Sequence, residues 1–163
     1  MDATLQSKTA ATARNNALSI LVVAGLATLW LAAQGHALAV FGAVLCSAAV
    51  LELRGAKLLL ADPLAARPML VGAELAVLVL MLGYCAWRLA SFDFDAELAA
   101  LPETSRQLLL DATGDDEAVL REMMVLANRI TYGVLAVVTL FYQGGMALFY
   151  RRRIARIVGG APA

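Results

Sequence analysis

The sequence predicts an all-α integral membrane protein: a four-helix transmembrane bundle with a small acidic helical extracytoplasmic cap between the third and fourth spans. The chain of 163 residues is 61% hydrophobic, whereas soluble domains are about 45–50% apolar. Most of the excess lies in four runs, each close to the roughly 17–25 residues of helix that cross a bilayer core. The runs cover residues 17–33, 37–53, 69–90 and 130–150.

The basic residues are sorted between alternate connections of these runs, which is the second observation that predicts the fold. Nine of the 13 lysines and arginines lie before the first run, between the second and third, or after the fourth. The segment 91–122 contains only Arg106 and Arg121. Because basic residues accumulate on the cytoplasmic side, we expect a multi-pass protein of a bacterial-type inner membrane with cytoplasmic N- and C-termini.

The amino-terminal segment, residues 1–16, is rich in Thr, Ala, Ser and Asn. This composition predicts a poorly ordered or interfacial cytoplasmic arm that precedes the transmembrane domain, residues 17–153. The short connection Gln34-Gly35-His36 then predicts that the first two helices form an antiparallel pair.

Small residues recur every four positions at the start of the second span, a pattern that allows helix backbones to approach closely in a membrane. We expect this helix-packing stripe to face either the first helix or a neighbouring subunit. The stripe consists of Gly35, Ala39, Ala43 and Ser47.

A proline-marked inner turn should follow, since Pro63 and Pro68 each disfavour helix in the preceding residue. Segment 91–122 carries nine acids and two arginines, a net charge of −7. Its leucines alternate with acids on either side of Pro102, which predicts two short amphipathic helices over the outer mouth of the bundle.

The last helix should begin at Asp115 and continue without a breaker to Arg153. Such a helix has about 38 residues and exceeds the thickness of the bilayer. Its outer part carries an apolar seam with the spacing of a helix interface, covered either by the 93–112 cap or by the same helix of a neighbouring subunit. The seam consists of Val119, Met123, Leu126 and Ile130, and residues 154–163 form a cytoplasmic tail.

Glu74 is the strongest candidate for a functional residue. It is followed by thirteen residues without a charge, so its side chain should face the bundle interior and require a partner. Gln143 enters the same layer from the opposite helix, and Glu52 and Tyr142 could complete an intramembrane polar site. The cluster is either a packing contact between helices or a proton or cation site with Glu74 as the titrating ligand.

Arg88 and Arg129 lie near the outer membrane boundary, where a long side chain can lift its guanidinium group to the lipid headgroups. We expect them to pair with Asp93 or Asp95. The alternative is a clamp for a lipid phosphate or another anion.

The composition disfavours several classes of function. The chain has one histidine and two cysteines, Cys46 and Cys85, which lie in apolar runs without a CxxC spacing. No signature of a hydrolase, nucleotide-binding loop or zinc protease is present. We therefore predict no catalytic residues, metal or cofactor, and no nucleic-acid partner, because the basic residues flank membrane spans.

The function predicted from these observations is that of a small non-enzymatic inner-membrane protein that self-associates among membrane lipids and conducts or exchanges ions. An alternative is an accessory or assembly subunit of a larger complex, docked to other membrane subunits. A third possibility is a membrane enzyme acting on lipid.

Overall fold

A computed structural model describes residues 3–36, 38–114 and 116–159, and these residues form helices without a strand. Four of the helices are long and apolar enough to cross a membrane, which confirms the predicted all-α class with four candidate spans. The expected starts of the second span at Ala37 and of the last helix at Asp115 lie outside the described residues. The helices are α1 Ala3–Ala33, α2 Ala39–Ala61, α3 Pro63–Ala90, α4 Phe94–Ala100, α5 Glu103–Ala112 and α6 Glu117–Gly159.

The amino-terminal segment is helical from Ala3 onward and continuous with the first apolar run. The expectation of poor order was wrong because small buried residues recur on one face of this segment, whereas its interfacial cytoplasmic location stays a prediction. Ala10 and Ala13 are buried in the core, and Gln6 Nε2 donates a 2.6 Å hydrogen bond to the Leu59 carbonyl.

A tight turn joins α1 to α2, with Gly35 at φ 68°, in the left-handed region that glycine adopts without strain. The stripe predicted from Gly35 therefore begins in the turn, and its members Ala43 and Ser47 are exposed. Gly42 makes the close approach to α1, since a Cβ there would collide with Thr28. Within one chain, α1 therefore meets Gly42 rather than the exposed members of the stripe, and packing of the stripe on a neighbouring subunit stays a prediction.

The turn between α2 and α3 is sharper than predicted, and α3 begins at Pro63 rather than near Met69. Asp62 has an extended backbone, and its Oδ1 accepts hydrogen bonds from the Leu64 and Ala65 amides at 3.0 and 3.1 Å. This carboxylate caps the new helix, and a proline is favoured at its first position. Pro68 is accommodated inside α3.

One compact unit comprises the described residues up to Leu80 together with the described residues from Leu140 onward. Four helices contribute to its core, and half of the core residues are alanines, which allow the helices to pack closely. Gly55 also lies at a close contact, because a Cβ there would stand 2.9 Å from Leu70 Cγ. The core consists of Ala10, Ala13, Ala56, Leu59, Ala66, Leu70, Tyr150 and Ile154.

The second compact unit, residues 81–139, contains the two short helices predicted on either side of Pro102. Phe94 of α4 is buried, with the Arg121 guanidinium 4.5 Å from its ring centre. The position of these helices outside a membrane remains a prediction.

The apolar seam of α6 is uncovered in this structure. Val119, Met123, Leu126 and Ile130 are 43–57% exposed, whereas the neighbouring Leu120 is buried. Coverage by the cap of the same chain, one of the two expected arrangements, is therefore wrong. The continuous final helix is confirmed, since α6 runs for 43 residues.

Gly42→Val should destabilise the α1–α2 contact, because the added carbons would displace Thr28. We expect a loss of about 1–3 kcal/mol, the usual cost of overpacking. Thermal unfolding in detergent measures it. Gly72→Val is the matched control, since a Cβ at Gly72 meets nothing within 4 Å. Equal effects of the two substitutions would contradict the close contact at Gly42.

Candidate site formed by two buried carboxyl groups

Glu52 and Glu74 face the interior of the first unit, each only 1% exposed. Their positions follow from helical periodicity. Glu52 lies three residues after buried Ala49 and four before buried Ala56, and Glu74 lies four after buried Leu70. Residues at such spacings share one helix face, so packing the alanines and leucines also carries the two carboxyl groups inward.

Asn16 of α1 joins the two carboxyl groups. Its Nδ2 lies 3.0 Å from both Glu52 oxygens and 2.9 Å from Glu74 Oε1. One amide nitrogen therefore lies within hydrogen-bonding distance of both carboxyl groups, which places the two acids at a single site. A proton or a cation held at this site would reduce the repulsion between two charged carboxylates.

Two tyrosines of α6 complete the network. The buried Tyr150 hydroxyl donates to Glu52 Oε1 at 2.7 Å, and the Tyr142 hydroxyl donates to Asn16 Oδ1 at 2.8 Å. Side chains of α1, α2, α3 and α6 therefore meet at one polar cluster. Tyr150 directly precedes Arg151, which places the cluster at the end of the apolar part of α6 that adjoins the arginines.

The charge of the carboxyl pair is not balanced by a basic side chain. In the described part of the chain, the ion pairs of lysine and arginine involve neither Glu52 nor Glu74. Among the described residues, Glu74 Oε2 and Gln143 Oε1 are buried and have no hydrogen-bond partner. Two unpartnered acceptors within an apolar unit are costly, and a proton or a small cation is the kind of ligand that would satisfy such atoms.

The sequence-predicted residues are only partly brought together. Glu52, Glu74 and Tyr142 belong to one hydrogen-bond network. Gln143 is buried on the α6 face that also carries Ala147 and Tyr150, but no hydrogen bond of the described residues joins it to a carboxyl group.

Asn16 and Tyr150 are central to the network and were not among the predicted site residues. Asn16 lies at the end of the segment predicted to be a poorly ordered or interfacial arm, and Tyr150 is the last residue of the fourth apolar run. For each residue, helical spacing in the sequence offered a signal. Asn16 lies three residues after buried Ala13, and Tyr150 follows Gln143 by seven residues, two turns along the same helix face.

The outer arginines differ from the prediction in their partners. Arg88 pairs with Glu97 at 2.7 Å and donates from Nε to the Tyr132 hydroxyl at 3.0 Å. The predicted pairing of Arg88 with Asp93 or Asp95 was wrong, because Asp93 caps α4 and Asp95 pairs with Arg121. Arg129 is exposed, and none of the ion pairs in the described residues includes it.

The described ranges contain no group of three or more His, Cys, Asp or Glu side chains that could hold a metal ion. The carboxyl pair, together with the Asn16 amide and the Tyr142 and Tyr150 hydroxyls, joins polar side chains from four helices. This cluster is therefore the candidate functional site. Comparison with protein-family models, curated proteins and solved structures finds no match for this chain.

Tyr150→Phe should destabilise the protein more than Tyr142→Phe. Tyr150 donates to a buried carboxyl oxygen, whereas Tyr142 is 53% exposed and donates to the neutral amide oxygen of Asn16. We expect losses of about 1–3 kcal/mol for Tyr150→Phe and about 0.5–1.5 kcal/mol for Tyr142→Phe. Thermal unfolding of both variants in the same detergent tests the order, and a larger loss for Tyr142→Phe would contradict it.

Proposed function

We propose that this protein is a proton or alkali-cation channel or exchanger in which Glu52 and Glu74 form the binding site, and that it works as a homo-oligomer. One observation carries the proposal: two carboxyl groups, each 1% exposed, share the Asn16 amide without a basic partner among the described residues. Intramembrane acids of this kind mark ion and proton pathways.

The ligand chemistry favours a proton or a monovalent cation. The site offers carboxyl oxygens and phenol hydroxyls, all of them hard donors that suit a proton or an alkali cation. With only two carboxyl groups, the site carries at most two negative charges. Binding of one proton or one alkali ion would leave one negative charge on the carboxyl pair. The hydrogen bonds from Asn16 and Tyr150 would stabilise this remaining charge.

The position of the cluster supports exchange with the arginine-rich compartment, proposed to be the cytoplasm. Tyr150 adjoins Arg151, and Glu52 lies two residues before Arg54. The acidic residues of 91–122 would concentrate cations at the opposite mouth, provided that this segment is extracytoplasmic as proposed.

Self-association supplies the walls that a single chain of this size lacks. The uncovered α6 seam offers an apolar surface for a second copy of α6. The same surface supports the alternative function, an accessory subunit docked on a different chain, and the two are distinguished by the mass of the purified protein.

Glu74→Gln should reduce proton or cation flux in proteoliposomes at least about tenfold, since the amide cannot bind a proton between the two side chains. A pH-sensitive dye inside the vesicles reports proton flux driven by a potassium diffusion potential, and a sodium- or potassium-loaded series reports cation flux. Asp111→Asn, the same change at an exposed acid of α5, is the control and should behave as the wild type.

Two outcomes would overturn the proposed site: wild-type flux no greater than in protein-free vesicles, or full flux through Glu74→Gln. Glu74→Asp retains a carboxyl group and should keep part of the flux. If Glu74→Asp and Glu74→Gln lose flux together with thermal stability, Glu74 has a packing role and the proposal fails.

Leu126→Lys should dissociate the oligomer, because it places a charge within the seam. Leu108→Lys is the matched control at an exposed leucine of α5, with 69% exposure against 57% for Leu126. Light scattering in detergent should give a multiple of the 17.2 kDa chain for the wild type and Leu108→Lys, and a lower mass for Leu126→Lys. A wild-type monomer would instead favour the accessory-subunit alternative.

A further inference from the structure

A groove of about 390 Å³ runs between α1 and α2 on the outside of the helix pair. Its floor consists of small side chains, including Ala10 and Ala56, and Leu53 and Leu60 form one side. The lining residues of each helix are three, four and seven positions apart, so each helix contributes one continuous face. The groove is open along its length and has the size of a pocket that holds part of a small molecule.

Two basic side chains, Arg14 of α1 and Lys57 of α2, line this groove from opposite sides. Both residues are exposed. Neither takes part in an ion pair within residues 3–36, 38–114 and 116–159, and no acidic residue lines the groove. The nearest acid along α2, Glu52, is buried and bonded to Asn16 and Tyr150.

We infer that this groove binds one anionic phospholipid. Arg14 and Lys57 would hold the phosphodiester, since a guanidinium presents paired donors to phosphate oxygens and an ammonium adds a second positive charge. An acyl chain would lie against the alanine floor and Leu53. Basic pockets between membrane helices bind anionic headgroups in this way.

The combination of charge and shape favours a lipid over a free anion. A free phosphate would gain nothing from the apolar lining, whereas a lipid buries its chain against Ala10, Ala56 and Leu53 while its headgroup meets two cations. A headgroup with no positive charge of its own, such as glycerol, leaves the phosphate charge uncompensated. The groove should therefore prefer phosphatidylglycerol to phosphatidylcholine.

Native mass spectrometry of the full-length protein in neutral detergent tests this inference. Short-chain phosphatidylglycerol should bind at least about tenfold more tightly than phosphatidylcholine with the same acyl chains, since two basic side chains near an anionic lipid surface have roughly a thirtyfold effect. The double substitution Arg14→Gln with Lys57→Gln should abolish the preference.

The control is Lys8→Gln with Arg54→Gln, which removes the same charge from the same two helices at exposed positions outside the groove lining. It should keep the preference. Ala11→Phe leaves both cations but fills the groove, and it should weaken binding of phosphatidylglycerol.

Three results would overturn the inference. The first is that the double substitution at Arg14 and Lys57 keeps the preference for phosphatidylglycerol. The second is that the control substitution at Lys8 and Arg54 loses this preference to the same extent. The third is that millimolar inorganic phosphate displaces the lipid, which would indicate a site for free anions. Thermal unfolding of each variant verifies that lost binding does not come from lost folding.

Discussion

Burial of two carboxyl groups in an apolar helical unit is the constraint on which this structure depends. Removing a carboxylate from water without a partner is costly, so the positions of Glu52 and Glu74 require donors from the surrounding helices. Asn16 and Tyr150 provide them at 2.9–3.0 and 2.7 Å. The network thereby fixes the relative register of α1, α2, α3 and α6 in the first unit, which alanine packing alone would leave loosely determined.

The small side chains of the first unit make this polar arrangement possible. Alanines at positions 10, 13, 56 and 66 and a glycine at position 55 bring the helix axes together, so short donors such as Asn16 reach across the interface. The small volume of these side chains also leaves the groove between α1 and α2, because two alanine faces cannot fill the space outside their own contact. Close packing and the surface groove thus have one origin.

The sequence predicted the acids of the site better than their partners. An isolated Glu74 in a long apolar run demands burial and a partner whatever the fold, and Glu52 follows from the same argument. The donors were harder to find, because many polar residues flank the runs and periodicity alone does not select Asn16 among them. Gln143 was predicted as a co-ligand from its depth, but depth along a helix leaves the direction and reach of a side chain undetermined, and no hydrogen bond joins it to the carboxyl pair.

Hydropathy and run length by themselves determined that this is a helical protein with four segments able to span a membrane, because a bilayer accepts only backbones that satisfy their own hydrogen bonds. The alternation of leucines with acids around Pro102 also located two short helices. Only the tertiary structure decided that Ala10 and Ala13 belong to the core, that Gly42 rather than Ala43 meets α1, and that Arg88 selects Glu97. Those choices depend on contacts between residues far apart in the chain, which local composition and periodicity do not encode.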